Sequence, residues 1–267
     1  MDSNGINAEF DNFRTKKEDG IAYLTLDSGK ANPLSEKTLE ELFEAAVAVN
    51  EDDDVRCVVL TGTGSFYCSG FDLSRLEGSE GDGTKLRRSV STFHDAVLQL
   101  HRGDAPVVTG INGVAAGGGF GLALLGDVML MSEEARLEYA YSRIGLTGDG
   151  GSTFFLPRLV GLRRATEIAL LDRPVEADEA VEMGLATEAV PADEFDERLD
   201  DVAHRLAEGP TKAYGATKRL MARSFDRSLE EQLGAETEAM ARATHTEDYA
   251  EGIESFFGDD EPEFEGQ

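Results

Sequence analysis

The sequence predicts an α/β fold: apolar strands of a parallel sheet alternate with amphipathic helices, and a purely helical stretch closes the chain. Three observations carry this. Short, nearly continuous apolar runs at residues 55–60, 107–111 and 128–131 fit strands covered on both faces. Helical spacing of apolar residues separates them, and after residue 192 no strand pattern appears. We divide the chain at that point, into an α/β core over residues 1–191 and a C-terminal helical part over 192–267.

In order, residues 1–12 form a loose lead-in, and residues 21–26 alternate as a strand. Ser35 caps a helix that runs to about Asn50. The acidic turn 51–54 precedes the strand 55–60, and a polar loop at 78–83 precedes a long amphipathic helix over 84–102 that carries Leu86, Val90, Phe93 and Val97. The strand 107–111 ends in an Asn112-Gly113 turn, and Gly117-Gly118-Gly119 opens an apolar helix. Residues 128–131 are a strand and 137–141 are extended. A helix starts near Ser152, breaks at Gly161 and resumes over 162–171; residues 177–183 are helical, Gly184 ends them, and 186–190 is a strand. Helices at about 192–208, 210–224, 228–243 and 246–257 follow, with Phe256, Phe257 and Phe264 available to pack against a neighbouring part or subunit.

Composition narrows the function classes. The chain has 267 residues, enough to bury a sizeable core, with 53 acidic against 25 basic residues and a formal net charge of −28. Such a surface repels nucleic acid and anionic lipid, so neither is expected as a partner. It suggests a halophilic protein, in which salt screens the self-repulsion. No apolar run approaches a membrane span, and Met1–Gly5 lacks the pattern of a signal peptide. Two cysteines, Cys57 and Cys68, fit reduced thiols and a cytoplasmic location. The four histidines show no metal-ligand spacing, so no metal site is expected.

Two stretches point to chemistry. Each is an apolar strand running into glycine-rich backbone: Val58–Leu73, with Ser69-Gly70-Phe71, and Val107–Leu125, with the glycine triplet. A glycine triplet alone reads as a tight turn under a core helix. Two such loops together can each point one N–H at a single oxygen, which makes an oxyanion hole.

At these residues the chain resembles the crotonase (enoyl-CoA hydratase/isomerase) superfamily. Leu60-Thr61-Gly62 with Cys68-Ser69-Gly70-Phe71-Asp72-Leu73, and Asn112-Gly113-Val114-Ala115-Ala116-Gly117-Gly118-Gly119, are similar to the family's two oxyanion segments. Ile144-Gly145-Leu146, Leu156-Pro157-Arg158 and Ala180–Ala186 are similar to its later blocks, so that the resemblance covers about residues 18–265. It implies a spiral of strand-strand-helix repeats with a C-terminal helical trimerisation part, assembled as a homotrimer or a dimer of trimers. It implies an acyl-CoA substrate, with no cofactor besides the CoA that the substrate carries. The oxyanion donors would be the N–H groups of Phe71 and Gly118; Lys30, Ala31, Ser69, Gly70, Asp72, Leu73, Gly117 and Tyr141 would contact substrate.

The departures choose the subclass. The family's hydratase members carry two glutamates at positions occupied here by Gly121 and Tyr141. Without that pair, activation of water lacks its acid and base. Asp149, in Gly148-Asp149-Gly150-Gly151, is either a turn residue or, as in the family's aspartate-bearing isomerases, the catalytic group. The expected activity is isomerisation of an acyl-CoA, by double-bond shift or by ring isomerisation of an epoxy-phenylacetyl thioester. The alternatives are an enoyl-CoA hydratase of fatty-acid oxidation, using Glu138 or another carboxylate, a CoA-thioester dehalogenase or hydrolase with Asp149 as nucleophile, and a non-catalytic acyl-CoA-binding homologue. Cys68 reads as a small buried residue.

Overall fold

The computed structural model describes Ile6, residues 10–258 and residues 260–267, so most of the predicted lead-in lies outside the described residues. The chain enters through a hairpin of β1 (Phe13–Glu18) and β2 (Ile21–Leu26), which turns on Asp19 and Gly20, both at positive φ. β2 matches the expected strand. β1 was not expected, because only Phe13 of its six residues is buried and the rest read as charged surface, as suits an exposed edge. Helix α1 (Glu36–Glu51) follows, capped by Ser35, whose hydroxyl accepts the Thr38 N–H at 3.1 Å.

Three turns of a spiral come next, each made of two strands and a helix. The first is β3 (Cys57–Gly62), β4 (Phe66–Cys68) and α2 (Asp82–Arg102). The second is β5 (Val107–Ile111), β6 (Val114–Ala116) and α3 (Gly118–Ala123). The third is β7 (Val128–Ser132), β8 (Arg136–Glu138) and α4 (Ser152–Leu171), which breaks at Gly161 (φ 77°) where the sequence predicts. The first strand of each turn joins one sheet and the second strand joins another. The larger sheet has the order β1-β2-β3-β5-β7-β10 and is parallel apart from the entry hairpin; the smaller has the order β4-β6-β8-β9. Its last strand β9 (Val175–Glu176), helix α5 (Ala177–Glu182) and β10 (Glu188–Val190) complete the spiral.

The apolar runs are explained by burial on both faces of the larger sheet. Ala22, Leu24, Val58, Leu60, Val107 and Met129 face the main core. Ile21, Val59, Val108 and Leu130 face the other way, onto Phe195, Leu199 and Ala203 of α6 (Phe195–Ala207). The strandless region therefore begins with a helix that packs on the sheet. Beyond it stand α7 (Thr211–Arg223), α8 (Leu229–Ala243) and α9 (Glu247–Phe257). The chain end folds back on α9: Gly266 N–H donates to the Asp248 carboxylate at 3.0 Å, and the Gln267 carbonyl accepts the Glu247 N–H at 2.9 Å. Phe256 and Phe257 are each 80% exposed. Among the described residues, no helix is long and apolar enough to cross a membrane.

Candidate active site

The two glycine-rich loops meet backbone to backbone. After β4, the Ser69 N–H donates to the Ala31 carbonyl at 3.0 Å. Leu34 then pairs with Phe71: its N–H donates to the Gly70 carbonyl (2.8 Å), and its carbonyl accepts the Asp72 N–H (3.1 Å). This brackets Phe71 and leaves its own N–H outside the pairing. Gly70 has φ +87°, and a Cβ there would lie 2.8 Å from the Ala116 carbonyl oxygen and 3.1 Å from the Gly118 nitrogen. Only glycine allows this approach. On the other side, Gly117 N–H is taken by the Glu138 carbonyl (3.1 Å), while Gly118 is the first residue of α3, whose N–H has no acceptor inside the helix. The Phe71 ring lies against Gly118, 3.2 Å from where a Cβ would be. Two uncommitted donors thus sit on adjoining backbones.

They open into a cavity of about 420 Å³. One wall is a stripe of α2, Leu86, Val90 and His94, at successive i, i+4 positions. Tyr141 and residues 148–149 line the cavity as well. Tyr141 begins a 3-10 turn rather than ending an extended run: the strand stops at Glu138, and Ala140 takes a left-handed conformation (φ 60°). Asp172, at the end of α4, holds that turn by accepting the Ala140 N–H (2.7 Å), the Ser142 hydroxyl (3.1 Å) and the Arg143 guanidinium (2.8 Å).

Tyr141 is thereby buried, and its hydroxyl donates to Asp149 Oδ1 at 2.5 Å. Asp149 is the one carboxylate among the described residues that line the cavity. Burial pushes its carboxyl above the ordinary range, and the Tyr141 hydrogen bond offsets only part of that rise. Its loop is tied from α2 by Gly150, whose N–H donates to His94 Nε2 at 3.1 Å. From α3, Gly121 packs so closely that a Cβ there would be 2.8 Å from the Asp149 carbonyl oxygen. Burial holds the Cys68 thiol protonated, its pKa pushed up to about 12.

Comparison with known proteins decides the frame: residues 16–267 match the family model described as enoyl-CoA hydratase/isomerase. The chain belongs to the enoyl-CoA hydratase/isomerase family. It is similar to the 1,2-epoxyphenylacetyl-CoA isomerase of Escherichia coli, 33% identical over 94% of this chain and 97% of that protein. It is also similar to 4-chlorobenzoyl coenzyme A dehalogenase-2 of an Arthrobacter species, 32% identical over 89% of this chain and 87% of that one. Among solved structures, the enoyl-CoA hydratase from Bacillus anthracis superposes with a TM-score of 0.89 at 30% identity, covering 96% of this chain and all of that one. These relatives establish the crotonase fold and leave several chemistries open.

Within the family frame, the structure brings eight of the eleven sequence-predicted site residues to one cavity: Ser69, Gly70, Phe71, Leu73, Gly117, Gly118, Tyr141 and Asp149. Lys30, Ala31 and Asp72 are not among its lining. Lys30 is exposed, Ala31 uses its carbonyl on Ser69, and Asp72 turns outward to accept the Ser74 N–H at 3.0 Å, capping its own turn. Glu138 lies outside it as well. Burial alone would raise its carboxyl, but Arg136 Nε (2.7 Å) and Arg143 Nη1 (2.5 Å) outweigh that and hold it below the usual range. His94 is among the lining residues that sequence reasoning missed, with Arg143 and Thr147. The signal for His94 was its place in the Leu86–Val90 stripe.

Proposed function

We propose that this protein is an acyl-CoA isomerase in which Asp149 moves a proton between carbons of the acyl group. The thioester carbonyl oxygen sits between the Phe71 and Gly118 N–H groups, which take up negative charge as the enolate forms; one such donor is worth about 3 kcal/mol in comparable sites. For a double-bond shift, the Asp149 carboxylate removes the C2 proton, the electron pair delocalises into the thioester as a dienolate, and the same proton returns at C4. No water, redox partner or second acid is consumed, so a single carboxylate suffices. Ring isomerisation of an epoxy-phenylacetyl thioester draws on the same oxyanion support. The substrate is an acyl-CoA, and no cofactor takes part beyond the CoA it carries.

One observation carries the reading: a half-buried carboxylate with one oxygen bound by Tyr141, beside the two free N–H groups. Hydration is disfavoured because Gly121 and Tyr141 stand where hydratases have glutamates and Glu138 is committed to two arginines. The working assembly is a trimer or dimer of trimers, which would cover apolar side chains that one chain leaves exposed, such as Leu162 (74%) and Met240 (75%).

The test is product analysis in molar salt on three thioesters: 3-hexenoyl-, epoxy-phenylacetyl- and crotonyl-CoA. Isomers from either of the first two, with no 3-hydroxyacyl-CoA from the third, support the proposal. Hydration of crotonyl-CoA, release of free acid, or binding without turnover would each overturn it.

A further inference from the structure

We propose that His94 is a positioning residue of this reaction, fixing the peptide that follows Asp149 and so the direction of its carboxylate; the inference rests on Asp149 as the proton carrier. The Gly150 N–H donates to His94 Nε2 at 3.1 Å, so that nitrogen is an acceptor and the neutral ring carries its proton on Nδ1. Gly150 has φ +57°, and the loop around it is confined by contact: a Cβ on Gly150 would lie 2.6 Å from the Phe93 ring, and Gly121 meets the Asp149 carbonyl from the other side. Contact limits how far this peptide can translate, and its plane is held at both ends: the Asp149 carbonyl accepts the Ser152 N–H at 2.9 Å, and the Gly150 N–H donates to His94.

The neighbouring residue gives the arrangement its reach. Phe93 packs edge-on against Phe71, with ring centroids 5.5 Å apart. Consecutive residues of α2 therefore hold both halves of the site: Phe93 braces the residue that supplies one oxyanion donor, and His94 grips the loop that carries the base. Both sit mid-way along a 21-residue helix. The distance between enolate oxygen and base is thus set by one rigid element. Loss of the His94 acceptor leaves the peptide held only at its carbonyl, by the Ser152 N–H, so that it can pivot about that bond and carry Asp149 off line.

The experiment compares His94→Ala, His94→Gln and His94→Leu in the full-length protein in molar salt, using an isomerisable thioester, with Asp149→Asn alongside. We expect His94→Ala to lower kcat roughly tenfold or more while KM stays within about twofold, as for lost positioning. His94→Gln, whose Oε1 can accept the Gly150 N–H, regains most of that rate, and His94→Leu does not. Should the alanine variant fail to fold, the ratio between the glutamine and leucine variants carries the test. Wild-type kcat in His94→Leu, a change confined to KM, or a folded His94→Gln as slow as His94→Leu would overturn the proposal. If Asp149→Asn abolishes turnover while His94→Ala and His94→Leu keep wild-type kcat, this inference alone falls; if Asp149→Asn turns over normally, both fall.

Discussion

Gly121 packs against the peptide that follows Asp149, and replacing it by alanine tests whether the Asp149 loop is a positioned catalyst. The added Cβ would lie 2.8 Å from the Asp149 carbonyl oxygen and 3.1 Å from the Gly150 Cα and carbonyl oxygen. Contact becomes ordinary at 3.4 Å, and the obstructing atoms are backbone, so the loop must retreat by about 0.6 Å. A misplacement of about 1 Å costs on the order of 100-fold in rate, so a retreat of this size predicts a fall in kcat of roughly tenfold. KM should hold, because the oxyanion loops and the α2 wall are untouched. Overpacking of this kind costs about 1–3 kcal/mol, so the melting temperature should drop. Steady-state kinetics and thermal melts of Gly121→Ala read both quantities. A variant that melts lower yet keeps wild-type kcat would refute the reasoning, since it would mean the loop can move without consequence for the chemistry. The same geometry predicts that Gly121→Glu gains no hydration of crotonyl-CoA.

Other perturbations follow from the same site. Gly118→Val crowds Leu34 and the Phe71 ring, each within 3.2 Å of the new Cβ, and should abolish turnover while the fold survives; near-normal rates would make the glycine triplet only a turn. Tyr141→Phe removes a bond that favours the Asp149 carboxylate, so the acid limb of kcat/KM, already above the ordinary aspartate value, should move to still higher pH. A limb that stays put or moves down would contradict the Tyr141–Asp149 pairing. A net charge of −28 predicts a melting temperature that rises from low to molar salt; a flat or falling trend would defeat the halophilic inference, and light scattering of the same samples should give the trimer mass rather than monomer.

Much of the fold was legible because its local rules are strong. The apolar strands at 55–60 and 107–111 are covered by core on one face and by α6 or the spiral on the other, and this leaves continuous hydrophobic runs. Caps such as Ser35 and Ser228 mark helix starts by residue type alone. The smaller sheet was legible only at β8, which the extended run expected over 137–141 overlaps. Its strands β4, β6, β8 and β9 have two or three residues each, too few to display a period. The two glycine-rich loops showed themselves because close backbone approach at Gly70 and Gly119 demands glycine. His94 stayed hidden because its partner, Gly150, is 56 residues away and a backbone N–H leaves no mark on composition. Glu138 looked available until the fold brought Arg143 onto it.

The measurement that bears most directly on the central claim is turnover of an isomerisable acyl-CoA by Asp149→Asn. Asparagine keeps the size of the side chain and an oxygen for the Tyr141 hydroxyl, but an amide cannot carry the proton. In the folded protein the Asp149 carboxyl titrates above its unfolded value of about 4, so its ionisation costs stability, a cost absent below that value and present as pH rises through the folded one. At neutral pH the variant should therefore melt no lower than wild type and still bind CoA thioester. Its isomerisation rate should be lower by roughly 100-fold or more. A well-folded Asp149→Asn protein with wild-type turnover, or a wild-type protein that accumulates a covalent acyl or aryl adduct on Asp149, would contradict the proton-carrier account.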